Sequence, residues 1–176
     1  PPLKFGVNMC ARTAFYDETA FILDLQSTLV DFISTDSFTP SYNITPSQNI
    51  QTLLSNKTYT QTSFGLIPHW AKEPKNRPVN ARAESIFEKP TFKSSIRQRR
   101  ALIPVNGYYE WQLQGKIKQP YYISPTQSDY FALGAIWDEW LDNESGEIIT
   151  SSAIITTTPN QALAKIHDRM PVMIPK

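Results

Sequence analysis

Apolar and polar positions along this chain alternate in short runs far more often than they follow helical spacing. Cys10 to Phe15 alternates as a short strand does. Phe21, Ile22, Leu25, Leu29 and Phe32 then recur at three- and four-residue intervals, predicting a helix from about Glu18 to Phe32 with Asp17 as its cap. The Ser, Thr, Asp and Pro run from Ser34 to Ser47 predicts loop. Ile50–Leu54 and Thr58–Phe64 read as strands joined by the turn Ser55-Asn56-Lys57, and Leu66 to Val79, with three prolines, as irregular chain. If extended, Asn80-Ala81-Arg82-Ala83-Glu84 puts Asn80, Arg82 and Glu84 on one face.

A short helix is predicted around Thr91 to Gln98, and then one long strand, Ala101 to Gln112. One of its faces carries Ala101, Ile103, Val105, Gly107, Tyr109 and Trp111. Glu110 lies on the other, pointing away from the greasier side. Pro120–Ser124 and Tyr130–Leu141 read as strands, and Asp142 to Gly146 as a hairpin turn into Glu147–Thr158. Thr158 as N-cap and Pro159 at the first helical position predict a short helix through Ile166, with His167 just beyond it and a last apolar strand after Arg169. Many strands, a few short helices and no βαβ alternation predict an α+β fold with a mainly antiparallel, barrel-like β-sheet core.

Composition narrows the function classes. At 176 residues the chain can bury one sizeable core, and one domain is expected. A single cysteine excludes an internal disulfide framework and, with only two histidines, a conventional zinc cluster, so no metal is expected. No apolar run approaches ~20 residues and Pro1 to Asn8 has no signal-peptide core, so a cytoplasmic protein with no membrane partner is the expectation, nuclear if the cell is eukaryotic. No P-loop, dinucleotide fingerprint or repeat is present, and no cofactor is expected. The net charge of +1 conceals a partition. From His69 to Pro120 eleven Lys and Arg face four Glu, which suits either a localised polyanion site or a solvated basic face.

Four residues are candidates for chemistry or contact, each with two readings. Cys10 follows Met9 directly. If Met9 were removed, the free α-amine and thiol would form a 1,2-aminothiol able to capture an aldehyde as an imine and close it to a thiazolidine. With a reference pKa near ~7.8, roughly 15% of such an amine is unprotonated at pH 7. A lone cysteine is otherwise a small buried hydrophobe. Glu110, between aromatic neighbours, is either a desolvated proton carrier or an ordinary edge-strand glutamate. His167 is either a catalyst or a helix-end cap. Trp70 either stacks on a base or anchors its loop.

The order of six blocks is more specific than any of them. Met9-Cys10-x-Arg12, Tyr42-Asn43-x-x-Pro46, Phe64-Gly65-Leu66-Ile67-Pro68-x-Trp70, Asn80-Ala81-Arg82-x-Glu84, Gly107-Tyr108-Tyr109-Glu110-Trp111 and Ile166-His167-Asp168-Arg169-Met170-Pro171 closely resemble the SOS-response-associated peptidase (SRAP) family. The resemblance implies a sensor of abasic sites in single-stranded DNA that crosslinks itself to the ring-opened sugar, acting as a monomer. It gives Cys10 the thiazolidine, Glu110 and His167 the proton transfers of ring opening and imine formation, and Asn80 the orientation of lesion or amine. It places Arg12, Asn43, Pro46, Trp70, Arg82, Glu84 and Arg169 at the DNA.

Two departures from the family pattern bear on this. Ala11 stands where glycine is usual, adding a methyl near the reacting atoms and forbidding a glycine-only backbone angle. Residues 1–8 precede Met9, and the domain is expected to span 9–176, with those eight an added remnant, an upstream start, or a leader removed by autoproteolysis; while they stay attached the Cys10 nitrogen is an amide and no thiazolidine can form. Relatives usually continue beyond the point corresponding to Lys176. Two other function classes stay open: a thiol peptidase acting on other proteins, and a non-covalent single-strand binder.

Overall fold

The computed structural model describes residues 10–29 and 31–175, so Met9 and the expected leader lie outside the described residues. The first half of the chain runs β1 (Thr13–Phe15), α1 (Thr19–Thr28), β2 (Ile33–Ser34), β3 (Ser41–Ile44), β4 (Asn49–Leu54), β5 (Thr58–Phe64) and β6 (Asn80–Arg82). A 3-10 turn (Ala83–Ser85) leads to α2 (Lys93–Gln98), β7 (Arg100–Val105), β8 (Gly107–Gln114) and β9 (Ile117–Ile123). The chain closes with β10 (Phe131–Leu141), β11 (Ile148–Thr157), a second 3-10 turn (Leu163–Lys165), β12 (Met170–Pro171) and β13 (Met173–Ile174).

Five strands close on themselves. β10 pairs with β7 and β11, β7 with β4, and β4 with β5, all antiparallel, and a short parallel seam joins β5 to β11 through Ser63–Ser151 and Phe64–Ser152. Closure leaves this five-stranded mixed barrel no free edge. Thr52, Thr62 and Ser152, all buried, link their hydroxyls at 2.8 and 2.7 Å, so the polar atoms at the seam are satisfied. α1 buries Phe21 and Leu25, and the Phe21 ring meets those of Tyr59 and Tyr130 at 5.4 and 5.3 Å.

A second, four-stranded sheet, in the order β3-β1-β8-β9, carries the N-terminal end of the described chain. The passage between the two sheets is one residue, Asn106, where the predicted strand 101–112 divides into β7 and β8. Its buried amide is fully used. Oδ1 accepts from the Tyr16 and Asp17 amides at 2.8 and 3.1 Å, and Nδ2 donates to the Asp17 and Asp129 carbonyls at 3.1 and 2.8 Å. Beyond this corner the roles of the two faces exchange. Tyr108 and Glu110 face inward and are buried, while Tyr109 and Trp111 are partly exposed, so the expectation that Glu110 points away from the apolar side is reversed.

Other differences have local causes. The predicted helix ending at Phe32 stops at Thr28, and Ile33–Ser34 instead pairs in parallel with β5. Ser41–Ile44, predicted loop, pairs with β1 as an edge strand. Glu84 leaves the alternation of Asn80 and Arg82 because the chain turns at Ala83. Of the predicted helix 159–166 only the second 3-10 turn forms, its Leu163 amide held by Asn160 Oδ1 at 2.9 Å.

Asn106→Ala leaves two amides and two carbonyls at the corner without this partner. It should lower unfolding stability by about 3 kcal/mol in urea titrations, because buried polar groups lose bonds that nothing replaces. A change below about 1 kcal/mol would show that the corner does not depend on this side chain.

Candidate functional site

Cys10 lies ahead of β1, separated from it by Ala11 and Arg12, with a left-handed backbone (φ 47°), a conformation few non-glycine residues adopt. Ala11 has no positive φ, and its methyl is packed into the core, so that position makes no use of a glycine-only angle. The inward turn of β8 brings Glu110 against Cys10. Oε2 accepts the Cys10 N–H at 3.2 Å and the Sγ–H at 3.5 Å, and Oε1 accepts the Trp111 amide at 3.2 Å. Burial pushes the thiol pKa well above its ordinary value, and the charge and hydrogen bond of Glu110 add to this, while Arg169 opposes it. The thiol is therefore held in its protonated form, next to the atom that would carry the α-amine.

Arg169, whose charge reaches the Cys10 thiol, is itself bonded to the barrel. Its guanidinium grips the Glu84 carboxylate with two bonds, 2.7 and 2.8 Å, and donates to the Thr156 carbonyl at 2.7 Å. Thr156 is the cross-strand partner of Arg82, and Ile154 that of Asn80, in the parallel pairing of β6 with β11. Arg169 thus pins the turn after β6 onto β11. Asn80 is half-buried and Arg82 exposed. His167 is mostly buried, its Nδ1 2.8 Å from Asp168 Oδ1 and 3.1 Å from the Arg169 amide, which leaves Nε2 for any other partner. It lines a cleft of about 420 Å³ with Trp111 and Lys118, and no hydrogen bond among the described residues joins it to Cys10 or Glu110.

The remaining candidates spread from this centre. Arg12 is exposed, donates to Asn43 Oδ1 at 3.1 Å and lies over the Trp111 ring at 5.7 Å. Pro46 is half-buried in the turn between β3 and β4. Trp70 is 55% exposed, on a loop that other residues tie down. The anchors are two β10 residues that sequence reasoning missed. Asp138, fully buried, accepts from His69 N and lies 2.9 Å from His69 Nδ1 and 3.0 Å from Arg99, and Trp140 Nε1 donates to the Ala71 carbonyl at 2.6 Å. The signal was present as a carboxylate inside the apolar run of 131–141, which burial permits only with partners. The loop walls a cleft of about 690 Å³ whose lining includes Lys72, Lys75, Arg77 and Lys89 against Glu73, so the basic middle of the chain gathers beside Trp70. Among the described residues no cluster of His, Cys, Asp or Glu is arranged to hold a metal.

Residues 9–176 match the family model described as SOS response associated peptidase (SRAP). The abasic site processing protein YoqW of Bacillus subtilis strain 168 is 38% identical over 172 residues, covering 94% of this chain and 76% of that protein. The abasic site processing protein HMCES of Xenopus tropicalis is 31% identical over 173 residues, covering 79% of this chain and 52% of that protein. A crystal structure of a Bacteroides thetaiotaomicron protein matches with a TM-score of 0.80 at 26% identity, over 95% of this chain and 78% of the other.

The Arg169 grip holds the Glu84 carboxyl down to about 2. A depressed carboxyl stabilises the fold above its unfolded pKa, near ~4.3, and that contribution is lost as pH falls toward 2. A carbon-detected NMR titration should place the Glu84 midpoint near 2, and Arg169→Gln should return it toward ~4.3. A parent midpoint already near ~4 would mean that the grip does not persist in solution.

Proposed function

Because this chain belongs to the SRAP family, we propose that it processes abasic sites in single-stranded DNA by capturing the lesion covalently on Cys10. The residues before Cys10 are first removed by self-cleavage, which converts its amide into an α-amine. That nitrogen adds to the aldehyde carbon of the ring-opened sugar, and loss of water from the carbinolamine leaves an imine. The Sγ–H then adds across the C=N bond, sulfur to carbon and proton to nitrogen, closing a thiazolidine.

The observation that supports this most is that Glu110 Oε2 lies within reach of both nucleophilic atoms of Cys10, 3.2 Å from N and 3.5 Å from Sγ. One carboxylate can take the proton that the ammonium must lose and return it to the departing hydroxyl. His167 assists opening of the sugar ring through Nε2, and Asn80 on β6 orients the lesion. Arg12, Asn43, Pro46, Trp70, Arg82 and Arg169 follow the DNA, with Glu84 orienting Arg169. The cationic cleft beside Trp70 suits a polyanion with exposed bases.

The environment of the thiol counts against a peptidase acting on other proteins. Such enzymes use a thiolate with a lowered pKa beside a cation, whereas Sγ here faces a carboxylate and burial pushes its pKa up. An amine-first capture tolerates a neutral thiol, because the thiol acts only after the imine has formed.

Intact-protein mass spectrometry before and after incubation with single-stranded DNA bearing one abasic site tests the reading. The expected species begins at Cys10 and gains the DNA mass only when the lesion is present. Persistence of residues 1–9 without an adduct would refute capture by this chain. Cys10→Ser should abolish the stable adduct and retain DNA binding, and Glu110→Gln should slow capture by roughly 10²- to 10⁴-fold. Affinity measured between roughly 50 and 200 mM salt should fall steeply as counterions are released, and a flat profile would remove the basic cleft from the interface.

A further inference from the structure

The outer face of the β3-β1-β8-β9 sheet carries an aromatic array outside the Cys10 site. Tyr109 stands directly opposite Tyr122, and Trp111 opposite Pro120, so these side chains share one face of the β8–β9 pair. Their rings are fixed relative to one another. Tyr16 stacks on Tyr42 with centroids 4.6 Å apart and an interplanar angle of 16°, and Tyr109 packs on Tyr122 at 5.0 Å. The Tyr109 hydroxyl donates to the Tyr42 carbonyl at 3.1 Å, tying the two pairs together. A Cβ on Gly107 would fall 2.4 Å from the Tyr122 ring, so that ring can lie across the strand only because residue 107 is glycine.

This array is open to solvent. Tyr42 is 67% exposed, Tyr122 42% and Tyr16 36%, in a protein whose other aromatic rings are mostly buried. The β8 and β9 residues of this face carry no negative charge, and Asp168 lies beside it only at the Trp111–Lys118 end. On this face β8 presents Gly107, Tyr109, Trp111 and Leu113, and β9 presents Lys118, Pro120 and Tyr122, with no carboxylate among them. Arg12, over the Trp111 ring, closes the end nearest Cys10. Ordered π-faces bracketed by cations complement a chain that alternates anionic backbone with flat, uncharged bases.

We propose that this face is a stacking platform for the unpaired bases that flank the abasic site on one side. Arg12 takes the phosphate between the lesion and the first stacked base, and Tyr122 and Tyr42 receive the bases beyond it. The platform rests on the reading of single-stranded DNA as substrate and adds to it a direction, because only one flank of the lesion lies over the tyrosines.

Binding of the full chain to single-stranded oligonucleotides bearing a tetrahydrofuran lesion, which has no aldehyde, tests this by fluorescence anisotropy. The nucleotides on the 5′ or the 3′ side are either natural or base-free, so that phosphates are kept while bases are removed. Loss of bases on one side alone should weaken binding by roughly 5- to 150-fold per stacked base. Tyr42→Ala should weaken binding of the natural oligonucleotide to a similar degree and leave the base-free one unaffected, while Tyr42→Phe should bind as the parent does. The ring of Tyr42 is exposed and its carbonyl, not its phenol, receives Tyr109, so the alanine variant should keep the parent's circular dichroism. If the parent prefers natural flanks and Tyr42→Ala does not differ from it, the platform is wrong and the substrate reading stands. If the parent binds no oligonucleotide, both fall. If Tyr42→Ala changes only self-association in sedimentation, the face meets a second copy and the proposal is overturned.

Discussion

Everything at the centre of this molecule depends on the corner that Asn106 makes between the barrel and the smaller sheet. A strand that ran straight from Arg100 to Gln114 would keep its odd-numbered residues on one side throughout. Four hydrogen bonds from one amide hold the bend instead, and the face that is solvent-directed in the second half becomes the aromatic one. The same bend turns Glu110 inward, beneath the segment that carries Cys10. Glu110 and Cys10 therefore meet at the smaller sheet, while Arg169, Asn80 and Arg82 reach the region from the barrel.

Much of this was legible in the chain. The strands that bury one face, such as Thr58–Phe64 and Phe131–Leu141, announce themselves by alternation or by apolar content, and the turn at Ser55-Asn56-Lys57 by its residue types. The six ordered blocks point to the SRAP family on their own. What was not legible is where a strand changes sheets, because the period-two pattern of 101–112 is unbroken across Asn106 and only the partners of its amide reveal the corner. The short edge strand Ser41–Ile44 was hidden for a related reason: polar residues on a sheet margin look like loop. Helices were overestimated at both ends of the chain because apolar spacing continues past the point where tertiary contacts take the backbone elsewhere.

The candidate residues also divided unevenly between chemistry and support. Trp70 left two readings open in the sequence, and the hydrogen bonds that hold its loop come from Asp138 and Trp140 on β10. Trp70 is a half-exposed ring on a loop that is held on both sides of it. Glu84 and Arg169 present the complementary case. Their mutual grip ties a 3-10 turn to the residue before β12, which also bonds β11 at the Thr156 carbonyl, and it leaves a cation close enough to Cys10 to oppose the rise of its thiol pKa.

The protonated state of that thiol has a consequence for durability. Peroxide and alkylating agents attack thiolates, so a cysteine that is buried and held neutral by burial and a neighbouring carboxylate reacts with them slowly. The chain has one cysteine and no second copy to spare. Seating it against Glu110 leaves a thiol that such reagents reach slowly, and in the proposed capture the neighbouring nitrogen, not the sulfur, reacts first.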